Sequence, residues 1–262
     1  MNTIKNNLAV FQTGNKNNQP IVFIHGFPFD HKMWDFQVDY FKKDYHCITY
    51  DISGLGESPA GDGQYTMEGF VDDLFNVVES LKLNKPVLCG LSMGGYIALR
   101  AIERNEEKIK ALILCDTKSE ADSNAGKINR AKGVKEINEI GAEKFAEGFV
   151  QRCFSEEFVK TNREEYEQVV MRSKESDPVG LKGCLLAMAG RTDTTGYLDK
   201  IKIPVLVLCG EEDQLTPPSV MKSMSDKIAG SLFHTIPKSG HVTPVENPKV
   251  FNSIVEKFLK NI

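Results

Sequence analysis

The chain of 262 residues lacks several things that would direct its function elsewhere. It has no excess of basic charge. Lys plus Arg is 32 against 36 for Asp plus Glu, a net charge of −4. Phosphate binding needs a basic face, so nucleic acid is not expected as a partner. It has no long apolar run. The longest, such as Val205 to Cys209, is far too short to span a bilayer, so no membrane association is expected. Met1 to Val10 contains no apolar stretch of signal-peptide length, so a cytoplasmic protein is the default expectation. The six cysteines, at 47, 89, 115, 153, 184 and 209, form no C-x-x-C pair and no metal-finger spacing with histidine. They read as reduced, buried thiols, and no metal is expected. Histidine is scarce too, with five in the chain, which narrows any search for a catalytic base.

What is present is ordinary globular composition, 41% hydrophobic and 26% charged, which excludes wholesale disorder. The length suits one large α/β domain, or one domain with an insertion. Short apolar runs at Ile21–Ile24, His46–Tyr50, Val87–Cys89, Ala111–Cys115, Val205–Cys209 and Leu232–Ile236 read as strands. Stripes with a period near 3.6 separate most of them. One is Phe70, Leu74, Val77, Val78 and Leu81; a denser segment is Tyr96, Ile97, Leu99, Ala101 and Ile102. A third begins at Val250 and Phe251 and runs to Ile262. Strand alternating with helix implies βαβ crossovers and a mostly parallel sheet. Asn15 to Gln19 reads as a hairpin-type loop.

The alternation stops between about Thr117 and Lys200. Some eighty residues without a strand-like run are too many for one crossover. The expected layout is a core of residues 1–116 and 201–262, with 117–200 inserted between two strands as a helical cap.

Gly90-Leu91-Ser92-Met93-Gly94 is the sharpest local signal, lying between a strand and a helical stripe. A serine in such a turn is held in strained geometry with its hydroxyl pushed outward. Small residues are needed two before and two after it. The blander reading is a tight turn in which Ser92 only caps the helix. A serine hydroxyl needs a base, and the base needs an orienting carboxylate. His46 and His234 lie in or beside strand runs, and His31 has no clear role. His25 belongs to another motif. His241, beyond the last strand run, can reach over the sheet to Ser92. Asp213 follows the run Val205–Cys209; Asp116 ends another strand run and is a true rival. The order Ser92, Asp213, His241 favours Asp213. In His25-Gly26-Phe27-Pro28 a tight loop can aim the Phe27 amide at the space above Ser92. With the Met93 amide it would make a two-donor oxyanion hole.

HGFP at 25–28, GLSMG at 90–94, GEEDQLTP at 210–217 and SGHVTPVENP at 239–248 together resemble the α/β-hydrolase superfamily. The resemblance spans nearly the whole chain, and it is strongest to the small bacterial esterase and lactonase branch, the 3-oxoadipate enol-lactonase-like carboxylesterases. It implies the α/β-hydrolase fold, with a mostly parallel central sheet flanked by helices. It implies a serine hydrolase with Ser92, Asp213 and His241 as triad and Phe27 and Met93 as oxyanion donors. No metal and no organic cofactor are implied, and the partner is a small-molecule ester or lactone. One departure is Asp51-Ile52-Ser53-Gly54-Leu55-Gly56-Glu57-Ser58, where Ser53 stands in place of the family's usual Arg. Serine at the elbow excludes the relatives that use aspartate there, but not perhydrolases, carbon–carbon bond hydrolases or slow-turnover receptors.

The insertion offers Phe145, Phe149, Phe154, Phe158, Met171, Leu185, Leu186 and Met188 as candidates for an acyl pocket, although such stripes more often pack. Arg130, Arg152, Arg172 or Arg191 could meet a substrate carboxylate, although a solvated charged face is the commoner role. Nothing in the sequence fixes the oligomeric state.

Overall fold

The computed structural model describes residues 2–3 and 7–262, with side chains from Asn7 onward. The six apolar runs form strands β3 (Pro20–Ile24), β4 (His46–Tyr50), β5 (Val87–Leu91), β6 (Ala111–Cys115), β7 (Val205–Gly210) and β8 (Leu232–Ile236). Two further strands precede them, β1 (Asn2–Thr3) and β2 (Ala9–Thr13). The eight strands make one sheet in the order β1-β2-β4-β3-β5-β6-β7-β8. Strands β3 to β8 are parallel, whereas β1 and β2 pair antiparallel. The segment Asn15–Gln19 is therefore no hairpin. It leads from β2 to β3, and β4 lies between those strands. Val10 and Phe11 sit opposite Tyr50 and Thr49 of β4.

Helices cover both faces of the sheet. Alternate strand residues point to opposite faces. Val22, Ile24, Leu88, Leu112, Leu114 and Val207 join the core under α2 (Met67–Ser80) and α3 (Met93–Asn105). Ile21, Phe23, Cys89, Ile113, Leu206 and Leu208 join a second core under α1 (Asp35–Phe41) and α11 (Pro248–Leu259). Strands β3 to β7 are buried along their whole length, which is why they read as unbroken apolar runs. Thr66 caps α2 by accepting the Gly69 amide.

Between β6 and β7 the described residues hold five α-helices and no strand: α4 (Asn124–Ile140), α5 (Ala142–Gln151), α6 (Glu156–Thr161), α7 (Arg163–Lys174) and α8 (Pro178–Ala189). Helix α4 packs on α8, and α5 on α7. Gly141, at φ +90°, separates α4 from α5. The segment's ends are tied to each other. Thr194 donates to the Ser119 carbonyl through its amide at 3.0 Å and its hydroxyl at 3.1 Å. Arg191 donates to the Asp122 carboxylate at 2.7 Å and to the Glu120 carbonyl at 2.6 Å. The remaining described α-helices are α9 (Pro218–Ser225) and the one-turn α10 (Thr243–Glu246). No described helix is long and apolar enough to cross a membrane.

All six cysteines are buried and free. Burial pushes the Cys47 thiol up to about 12 and raises those of Cys153 and Cys184 as well. Protonated thiols of this kind are poor nucleophiles.

Candidate active site

Parallel strands end on one side of the sheet, and four polar residues follow four neighbouring strands there. Ser92 follows β5, Asp116 follows β6, Asp213 lies beyond β7 and His241 beyond β8. All four therefore lie on one side of the sheet, because β5 to β8 are consecutive and parallel in it; His241 meets Asp213, and Asp116 lies close to Asp213.

Ser92 has φ +53° and ψ −112° and leads directly into α3. That conformation costs roughly 1–3 kcal/mol for a residue with a side chain. Hydrogen bonds on both sides hold it. The Ser92 amide donates to the Cys115 carbonyl at 2.9 Å, and the Ser92 carbonyl accepts the Thr117 hydroxyl at 2.7 Å and the Gly95 amide at 2.9 Å. The flanking glycines are required by contact. A Cβ on Gly90 would lie 2.4 Å from the Gly94 carbonyl oxygen, and one on Gly94 would lie 2.2 Å from that of Ile24.

His241 donates from Nδ1 to Asp213 Oδ2 at 2.8 Å. The same oxygen accepts the Thr216 hydroxyl at 2.6 Å, and Oδ1 accepts the Leu215 and Thr216 amides at 2.8 and 3.0 Å. Burial pushes the Asp213 carboxyl upward, but His241 and the Thr216 donors outweigh it and hold it below the ordinary carboxylate range. The carboxylate therefore fixes the Nδ1–H tautomer and leaves Nε2 with a lone pair. Among the described residues no hydrogen bond joins the Ser92 hydroxyl to His241. Contacts of this kind are often long without substrate.

Asp116 does not meet the imidazole. Its oxygens accept the Gly210 amide at 2.8 Å and the Thr243 hydroxyl at 2.5 Å. Burial and the neighbouring Asp213 charge push its carboxyl well above the usual range. It braces β6 against β7 and α10. Asp116, Cys209 and Asp213 lie close enough to share an ion, with ligand atoms within 4.8 Å of one another. The chemistry does not suit one. Burial keeps the Cys209 thiol protonated, and it donates to the carbonyls of Gly210 and Thr216. Both carboxylates already accept hydrogen bonds from protein donors.

The loop after β3 brings Phe27 beside the elbow. A Cβ on Gly26 would touch the Ser92 Cβ at 3.2 Å. The Phe27 amide donates to no acceptor among the described residues. The Met93 amide opens α3, where an N–H has no partner within the helix. His25 sets this loop. Its Nδ1–H donates to the Gly26 carbonyl and its Nε2 accepts the Ile52 amide, both at 2.9 Å. Full burial lowers its pKa and keeps it neutral. His31, without a clear role from sequence, bonds the Asp51 carboxylate through its amide at 2.7 Å and its ring at 3.0 Å. Ser53 donates to Asp73 at 2.7 Å.

Helix α5 meets the loop after β3 at Phe27, whose ring contacts Phe149 and Phe145 at centroid distances of 5.1 and 6.3 Å. Phe154 and Phe158 stack on each other against Tyr166. Met171 and Leu186 are 64% and 54% exposed, so neither lines a pocket. Three of the four candidate arginines are engaged in ion pairs: Arg191 and Arg130 with Asp122, Arg172 with Asp30. Arg191 is buried, which corrects the expectation of a solvated face. Arg152 lies over the Phe149 ring at 5.4 Å. A cleft of ≈1270 Å³ opens between residues 151–161 and 211–218. Asp213 and His241 lie on its wall and Ser92 does not.

Two contributors escaped the sequence reading. Thr216 hydrogen-bonds the acid, and Thr117 holds the elbow carbonyl. The D-x-x-T spacing of Asp213 and Thr216 was a readable signal for a carboxylate-capped turn.

A strand-turn-helix elbow, a carboxylate–imidazole pair and a sheet of this order define a hydrolase fold. Residues 19–248 match the family model for the alpha/beta hydrolase fold, and the chain belongs to that family. Its similarity extends to particular members. The 3-oxoadipate enol-lactonase 2 of Acinetobacter baylyi is 27% identical over 258 residues, spanning 97% of this chain and 92% of the relative. A thermophilic esterase from Thermogutta terrifontis superposes with a TM-score of 0.93 at 34% identity, covering 97% of this chain and 93% of that one. The enol-lactonase from Burkholderia xenovorans LB400 gives 0.90 at 25% identity, covering 97% and 96%.

Proposed function

We propose that this protein hydrolyses carboxylic esters or lactones of small molecules through an acyl-enzyme on Ser92. The observation that carries this reading is the 2.8 Å Asp213–His241 pair, set beyond strand ends on the same side of the sheet as the Ser92 elbow. The similarity to enol-lactonases and an esterase supports the same chemistry.

In this mechanism His241 Nε2 takes the Ser92 proton as the hydroxyl oxygen attacks the carbonyl. The oxyanion forms against the Phe27 and Met93 amides, each such donor being worth about 3 kcal/mol in the transition state. His241 then protonates the leaving alkoxide. Water, deprotonated by the same imidazole, releases the acid and restores Ser92. Asp213 holds the tautomer and stabilises the imidazolium. Residues 117–200 act as the cap that selects the substrate.

The test is hydrolysis of p-nitrophenyl acetate and butyrate by the wild type and Ser92→Ala. Activity falling by on the order of a thousand-fold or more in the variant supports the reading. Retained activity in Ser92→Ala overturns it.

A further inference from the structure

The amide of His241 and those of its two neighbours are all held by groups outside the loop's own backbone ladder. The His241 amide donates to the Cys153 carbonyl at 2.7 Å. The Gly240 and Val242 amides both donate to Glu246 Oε1, at 2.9 and 3.2 Å. The other oxygen of the same carboxylate accepts the Ser155 amide at 2.8 Å. Ser155 belongs to the inserted segment and caps α6. The two segments also touch closely, since a Cβ on Gly240 would lie 2.8 Å from the Ser155 nitrogen. No role in the proposed chemistry accounts for this carboxylate. It is partly buried and gathers three charge-assisted hydrogen bonds, which are roughly twice as strong as neutral ones.

We infer that Glu246 is a positioning residue: its carboxylate clamps the backbone on both sides of His241 and ties that loop to Ser155 of the inserted segment. The inference rests on His241 being the base. A carboxylate is needed because one group must accept on both of its oxygens. An amide accepts on one only and turns an NH₂ donor toward the amides left over. In Glu246→Gln at least one of the three N–H groups loses its acceptor, and the imbalance falls on the loop that aims the imidazole. Misplacement of a catalytic group by about 1 Å costs on the order of 100-fold in rate.

The test combines two measurements on the full chain. A fluorophosphonate probe phosphonylates a serine activated by its base: the Ser92 oxygen bonds to phosphorus, fluoride leaves, and His241 takes the proton. Labelling rates are compared for the wild type, His241→Ala and Glu246→Gln. Steady-state hydrolysis of p-nitrophenyl butyrate then separates kcat from KM, with circular dichroism confirming the fold. For Glu246→Gln the expectation is roughly 10- to 100-fold slower labelling and a matching fall in kcat, with KM within about twofold of wild type. Wild-type labelling and kcat in Glu246→Gln overturn the inference, whatever happens to the melting temperature. So does a change confined to KM. His241→Ala labelled as fast as the wild type overturns the base assignment itself, a separate failure. If Glu246→Gln does not fold, the same criteria apply to Glu246→Asp. That variant keeps the charge on an arm too short to reach both segments.

Discussion

Replacing Asp213 by Asn reverses the tautomer of the imidazole, and the surrounding donors dictate the outcome. In the native chain Oδ1 accepts two backbone amides, from Leu215 and Thr216, while Oδ2 accepts from His241 Nδ1 at 2.8 Å and from the Thr216 hydroxyl at 2.6 Å. An Asn must keep its oxygen toward the two amides. Turning it over would leave both without an acceptor, at about 1–3 kcal/mol each. Its NH₂ then faces His241 Nδ1, which can receive that donor only by giving up its proton. The proton moves to Nε2, the atom that takes one from Ser92 in the proposed mechanism. The expected loss is about 10⁴-fold in kcat, equivalent to roughly 5.5 kcal/mol. The assay is p-nitrophenyl butyrate hydrolysis across neutral pH, with Asp116→Asn measured beside it. Asp116 bonds Gly210 and Thr243 instead of the imidazole, so its substitution should leave kcat within about tenfold. An Asp213→Asn enzyme within tenfold of wild type would refute the tautomer argument, and so would an Asp116→Asn enzyme equally impaired.

Asp116 also governs a pH dependence of stability. Its folded pKa is raised, chiefly by burial, so its favourable contribution is complete below the unfolded value near 3.9 and is lost as pH rises through the folded value. The melting temperature of Asp116→Asn should therefore gain on the wild type from about pH 4 toward neutrality. A constant offset between the two melting curves would contradict this. Gly94→Ala places a Cβ 2.2 Å from the Ile24 carbonyl oxygen and 2.8 Å from that of His25, both rigid backbone atoms. We expect a loss of about 3 kcal/mol or more by urea unfolding, together with loss of whatever p-nitrophenyl butyrate hydrolysis the wild type shows. Arg191→Met strips one partner from the buried Asp122 carboxylate and leaves the Glu120 carbonyl without its donor. Chemical denaturation should show a loss of about 3–5 kcal/mol; a loss under about 1 kcal/mol would mean the other ties between the segment's ends suffice.

Much of this architecture was legible because burial on both faces leaves an unmistakable trace. Strands β3 to β7 have no solvent side and therefore no alternation to disguise them. Strand β2 was missed because Phe11, Gln12 and Thr13 are only partly buried, so the strand has no unbroken apolar run. Asp213 and His241 were readable from chain order and strand position. The same logic favoured Asp213 over its rival Asp116, and what the sequence does not carry is where each carboxylate points: Asp213 at the His241 ring, Asp116 at Gly210 and Thr243. The insertion was the least legible part. Arg191 looked solvated because its partner Asp122 lies 69 residues away in the chain. Met171 and Leu186 looked like pocket residues because an apolar residue on a helix does not declare which neighbour it faces.

Phe27 serves two masters, and that has a consequence for altering this protein. Its main chain follows Gly26, which lies against Ser92, whereas its ring is wedged against Phe145 and Phe149 of α5. Under the proposed function, substrate range and turnover are thus mechanically joined through one residue. If the proposed mechanism holds, recutting the α5 aromatics to admit a larger acyl chain also shifts the amide assigned there to steady the developing charge. Engineering of the pocket here proceeds by compensation: each enlargement above Phe27 calls for a second change that returns its backbone to register.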